Sequence, residues 1–165
     1  MRNIFIDTIE NIGETFIEGS KFLCLNEDIF KDHFPNYPIL PAALMVESSI
    51  QLARLFMWNA SDFRFTLLPI SFDKFKFFDV LTPGNVLRIS LIINKAENGG
   101  YNLNETISIK TTGYSNDKKF FQGVILFNIL SFDKLHNEKK CREYLDFLMS
   151  NYKKNNDAYK PELLV

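Results

Sequence analysis

His33 and Glu47 are the two titratable side chains of this chain whose surroundings and spacing point to acid–base chemistry. The imidazole stands at the head of His33-Phe34-Pro35, and the carboxylate follows fourteen residues later, inside an apolar run from Ala42 to Trp58. A loop imidazole and a carboxyl within a greasy helix are expected to differ in their surroundings in the way that taking and giving protons at neutral pH requires. Each also has a plain structural reading. A histidine beside Phe-Pro can serve as a loop hydrogen-bonder, and Glu47 can be satisfied by Gln51, because residues four apart share a helix face.

The elements that must position this pair follow from the local pattern. Pro35, Pro38 and Pro41 forbid a regular helix or central strand between them. Pro41 suits the first turn of a helix, so a helix is expected from Ala42 to Trp58. The first N–H groups of that helix, near Ala42 and Ala43, carry partial positive charge and could stabilise a developing oxyanion. Upstream, residues 4–9 and 13–25 read as strands separated by Asn11-Ile12-Gly13. Downstream, Phe75 and Phe77 alternate with lysines, and Leu87, Ile89, Leu91 and Ile93 alternate with Arg88 and Ser90. Pro83-Gly84-Asn85, Asn98-Gly99-Gly100 and Ser115-Asn116-Asp117 fall between the runs, so residues 70–131 read as four antiparallel strands.

Six strands with one long apolar helix between the second and third describe an α+β architecture, an antiparallel sheet wrapped around a central helix. Residues 1–132 form this domain. Residues 133–165 add a C-terminal amphipathic helix, because Tyr144, Leu145, Leu148 and Met149 keep helical spacing, and a mobile tail is expected from 153.

Composition narrows the function classes. At 165 residues and 46% hydrophobic content the chain is about one domain with a full core. Nineteen basic against 20 acidic residues give no global field for nucleic acid or a membrane surface. Cys24 and Cys141 suggest no disulfide framework, and the N-terminus lacks the apolar segment of a signal peptide, so the cytoplasm is the expected compartment. The run from 42 to 58 is interrupted by Glu47, Gln51 and Arg54 and is too short to span a bilayer. Arg54, Ser48 and Ser49 read as structural, and Cys24 and His136 have no partner pattern that would make a metal site.

The stretch His33-Phe34-Pro35-Asn36-Tyr37-Pro38-Ile39-Leu40-Pro41-Ala42-Ala43-Leu44-Met45-Val46-Glu47, followed by Gln51, resembles the signature of 3-hydroxyacyl-acyl carrier protein dehydratases. The resemblance extends over residues 20–131, with Phe75-Lys76 and Pro83-Gly84 at the expected places. It implies the hotdog fold and removal of water from a 3-hydroxyacyl thioester. By position the catalytic base is His33, acting on the C2 proton, and Glu47 of the neighbouring subunit assists departure of the 3-hydroxyl. Ala42, Ala43, Phe34 and Gln51 are the implied substrate-binding residues. The family has a glycine where Ala42 stands, so the oxyanion donor N–H is retained while a methyl group is added beside the thioester.

The resemblance implies no metal or organic cofactor, an acyl carrier protein or coenzyme A thioester as partner, and a homodimer or a larger dimer-based assembly. A hotdog thioesterase and a non-catalytic acyl-thioester binding module are the alternatives. The first has no need of the His-Phe-Pro segment. The second would keep the packing of the site without its turnover.

Overall fold

The computed structural model describes residues 4–94 and 100–158, with side chains through Lys153. Six strands form one antiparallel sheet in the order β1-β2-β4-β5-β6-β3. They are β1 (Thr8–Ile12), β2 (Phe16–Phe22), β3 (Phe65–Phe77), β4 (Val86–Asn94), β5 (Thr106–Ser115) and β6 (Lys118–Ser131). A short helix α1 (Ile29–Asp32) precedes His33, the long helix α2 (Ala42–Ser61) lies in the sheet's concavity, and α3 (Glu138–Ala158) closes the chain. The expected turn at Asn98-Gly99-Gly100 falls largely outside the described residues, as does the tail from 159 onward.

Helix α2 is apolar around most of its circumference because it is covered on most sides. Met45, Ser49, Leu52, Ala53, Phe56 and Met57 are buried at spacings of three and four, the stripe a core-facing helix needs. Its mid-helix serines, Ser48 and Ser49, cost nothing in unpaired polarity. Ser48 Oγ returns a hydrogen bond to the Leu44 carbonyl, and Ser49 Oγ meets Thr111 Oγ1 of β5 at 2.7 Å, which ties the helix to the middle of the sheet. Both are packing residues, as their sequence context suggested.

Several boundaries differ from the sequence reading for local reasons. α2 runs on to Ser61, where Asp62 and Phe63 take left-handed backbone conformations and end it. β3 begins at Phe65 rather than near 70, because Thr66 and Leu67 are buried against β6. The strand expected at 4–9 begins at Thr8, although Phe5 and Ile6 are already in the core. Residues 153–158, expected in a tail, continue α3.

The short connection β5–β6 turns at Asn116 and Asp117, both at positive φ, as a two-residue hairpin requires. Gly113 on β5 lies under its cross-strand partner Phe121. A Cβ there would come within 2.0 Å of that buried ring, so only glycine fits.

The two sheet edges are treated differently. β1 is covered by α3, whose Leu145 and Leu148 are buried in the same core as α2 and whose Tyr144 hydroxyl donates to the Ile6 carbonyl. Among the described residues β3 is uncovered, and it carries Leu68, Ile70, Phe72 and Phe77 as exposed apolar side chains. An open edge strand with a greasy surface is a template for pairing with another chain.

Candidate active site

The loop from His33 to Ile39 is cross-bonded along its length. His33 N caps α1 by donating to the carbonyl of Ile29, the first residue of that helix, and Ile39 N donates to the His33 carbonyl at 2.9 Å. Phe34 and Tyr37 exchange backbone hydrogen bonds of 3.1 and 3.0 Å. The His33 ring is held from both sides. It stacks on Phe34 with centroids 4.3 Å apart, and its Nδ1 lies 3.1 Å from the Ile39 carbonyl oxygen. A carbonyl can only accept, so Nδ1 carries the proton and Nε2 presents an open lone pair. The loop therefore fixes the orientation of the imidazole, and the side chain remains partly exposed.

Six residues after Pro35, Pro41 starts α2. The N–H groups of Leu44 and Met45 both return to the Pro41 carbonyl, which leaves those of Ala42 and Ala43 directed out of the helix N-terminus. Both alanines are exposed. The Ala42 methyl group is therefore not packed into the chain's own core.

Glu47 sits one turn further along, half-buried, on the face of α2 that looks toward α3. Gln51 Nε2 donates to Glu47 Oε1 at 2.9 Å, while Gln51 Oε1 accepts from the Phe5 N–H at 2.9 Å. The amide cannot be reversed without losing both bonds, so the N-terminal segment sets the orientation of Gln51 and Gln51 sets that of Glu47. The reading of Glu47 as Gln51's partner is thus met in the structure.

Glu47 and Gln51 open into a cleft of about 620 Å³ between α2, the first described residues and the start of α3. Arg54 and His136 line the same cleft, and His33 does not. Within a single chain, then, the structure brings Glu47 to Gln51 and Phe34 to His33 but leaves the two titratable groups in separate surroundings. Arg54 is a structural residue by its sequence context, and His136 has no partner pattern in the sequence, yet both face this cleft. Arg54 Nε is pinned to the Leu67 carbonyl at 3.0 Å, and its guanidinium is within electrostatic reach of Glu47. Burial lowers the Arg54 pKa, and the negative charge of Glu47 works against that. The i, i+7 relation of Glu47 and Arg54 was the available signal. His136 had none, because it reaches the cleft only through the packing of the chain after β6.

His136 is a neutral group at physiological pH. Its Nε2 is 3.0 Å from Thr66 Oγ1, which also accepts from Trp58 Nε1 at 3.1 Å, and its ring lies edge-on to Trp58. Burial, reinforced by the nearby Arg54 charge, lowers its pKa from 6.5 to about 4. Between those values the unfolded chain binds a proton that the folded chain refuses. The stability contributed by the neutral ring is therefore present above pH 6.5 and lost as pH falls toward 4. The expected result is a urea midpoint that drops over this window, and a shallower drop in His136→Gln. Identical slopes in the two proteins would show that the ring is not the titrating group.

A helix wrapped by an antiparallel sheet defines a hotdog-fold protein, and the oriented imidazole before that helix and the carboxyl on it make a candidate acid–base site. The FabA-like domain matches residues 4–123, and the chain belongs to that family. The 3-hydroxyacyl-[acyl-carrier-protein] dehydratase FabZ of Lactococcus lactis is 33% identical over 93 residues, 56% of this chain and 62% of that protein. The chain thus spans about three fifths of that relative's length. FabZ of Pediococcus pentosaceus is 27% identical over 135 residues, 79% of this chain and 85% of that protein. Among solved structures, the dehydratase heterocomplex ApeI:P from Xenorhabdus doucetiae shares the fold with a TM-score of 0.56 at 21% identity, covering 76% of this chain and 98% of that one. Among the described residues no helix is long and apolar enough to cross a membrane.

Proposed function

We propose that this protein is a cytoplasmic dehydratase that converts 3-hydroxyacyl thioesters, carried on acyl carrier protein, to trans-2-enoyl thioesters in fatty-acid or related acyl-chain biosynthesis. The observation that carries this reading is the clamp on His33, whose Nδ1–H is committed to the Ile39 carbonyl so that Nε2 is left as the base. The names of the FabZ relatives support the substrate class.

In the reaction, His33 Nε2 takes the C2 proton, which the thioester acidifies. The negative charge that develops on the thioester oxygen is met by the outward N–H groups of Ala42 and Ala43. The C2 electron pair then forms the double bond to C3, and the 3-hydroxyl departs as water with a proton supplied by Glu47. His33 ends as imidazolium and Glu47 as carboxylate, and a proton passed between them through solvent restores the site. Because His33 is absent from the cleft that holds Glu47, the pair is completed by a second copy, His33 of one chain facing Glu47 of the other.

The test is the reverse reaction. Hydration of a crotonyl thioester, followed by loss of its enoyl absorbance, is expected on acyl carrier protein and at a lower rate on coenzyme A. Release of free thiol in place of hydration would instead make the protein a thioesterase. Tight acyl-thioester binding with no turnover on either carrier would make it a binding module.

A further inference from the structure

We infer that α3 forms the end wall of the acyl-chain pocket and limits the length of chain the enzyme accepts, with the acyl tail beyond C3 lying in the α2–α3 cleft against Leu44, Leu135 and Cys141. The inference rests on the reading of Glu47 as the group that meets the 3-hydroxyl. One carboxylate oxygen of Glu47 is bonded to Gln51 and the carboxyl opens into this cleft. A hydroxyl within hydrogen-bond reach of that carboxyl brings C3, and with it C4, to the mouth of the same cavity. The tail has to continue from there.

The cleft suits such a tail. Its volume of about 620 Å³ is within the range of pockets for small organic ligands, which are mostly apolar with few polar groups. Ile4, Phe5, Leu44 and Leu135 supply the apolar lining. Of the polar groups that share it, Arg54 Nε is held by the Leu67 carbonyl and His136 is an uncharged ring, while Asn137 and the charged Lys140 stand at the exposed start of α3.

The wall is firm, and it is this chain's own. Tyr144 is bonded to the Ile6 carbonyl, and Leu145 and Leu148 are sunk in the core, so the first turns of α3 cannot swing away without opening the hydrophobic interior. The family match ends at residue 123, whereas α3 spans Glu138–Ala158. The pocket's depth is therefore set by a segment outside the part shared with the family.

The readout is the ratio of kcat/KM for a ten-carbon enoyl thioester to that for the four-carbon one, in the wild type, Cys141→Trp and Leu135→Ala. The indole at position 141 fills the cleft and is expected to lower the ratio at least about tenfold, while the shortened side chain at the exposed Leu135 raises it. Leu135→Ala keeps the test intact if the larger tryptophan disturbs folding. Unchanged ratios in folded variants, with the four-carbon substrate turned over, would overturn the inference. Failure of the wild type to hydrate the four-carbon substrate would instead count against the dehydratase reading beneath it.

Discussion

Replacing His33 with alanine is expected to lower turnover by about 10²–10⁴-fold, the usual contribution of a positioned general base, with little change in stability. The ring is partly exposed, and the loop around it is held by backbone hydrogen bonds that alanine retains: His33 N to Ile29 O, Ile39 N to His33 O, and the Phe34–Tyr37 pair. Glu47→Gln should be similarly inactive, because an amide cannot supply the proton. The two variants together separate a shared site from a site within one chain. If His33 and Glu47 come from different subunits, unfolding and refolding an equal mixture creates heterodimers in which one site has both intact residues and the other has neither. Random pairing then returns about a quarter of wild-type activity. An inactive mixture whose heterodimers are demonstrated by mass spectrometry would show that each chain carries its whole site.

Disrupting the β3 edge is expected to have an effect of comparable size from residues remote from the chemistry. Ile70 and Phe72 are 49% and 53% exposed on a strand with one side unpaired. The double variant Ile70→Glu with Phe72→Glu places carboxylates where two copies would meet, and burying unpaired charge there is costly. The same carboxylates are well tolerated in a single chain, where both positions are open to water. Light scattering should report a dimer in the wild type and a monomer in the variant, with an unchanged far-ultraviolet spectrum and turnover reduced at least about 10²-fold. A monomeric variant with full activity would contradict the shared site.

The parts of the molecule legible in the sequence are those fixed by local stereochemistry and periodicity. Three spaced prolines marked the loop and the start of α2. Alternation of apolar and polar residues marked β4 and the end of β3, and Ser115-Asn116-Asp117 marked the turn before β6. The order of these elements was enough for an α+β sheet wrapped on a helix. Boundaries were less legible where burial overrode pattern. Thr66 and Leu67 joined β3 because β6 lies beside them, and α2 stopped only where Asp62 and Phe63 turned left-handed.

At the candidate site the division follows the same line. The residue types, their spacing and the outward N–H groups of Ala42 and Ala43 follow from the sequence, because a loop histidine, a helix start and an i, i+4 pair are short-range relations. Folding decided which nitrogen of His33 is free, since that depends on the Ile39 carbonyl closing back on the ring. It also set the orientation of Gln51 through the Phe5 N–H, 46 residues away in the chain. The placement of His136 against Trp58 and Thr66, and of α3 across the Glu47 cleft, came from tertiary packing as well. These contacts join segments far apart in sequence, and they arise only when burial of Leu145, Leu148 and Trp58 draws those segments into one core.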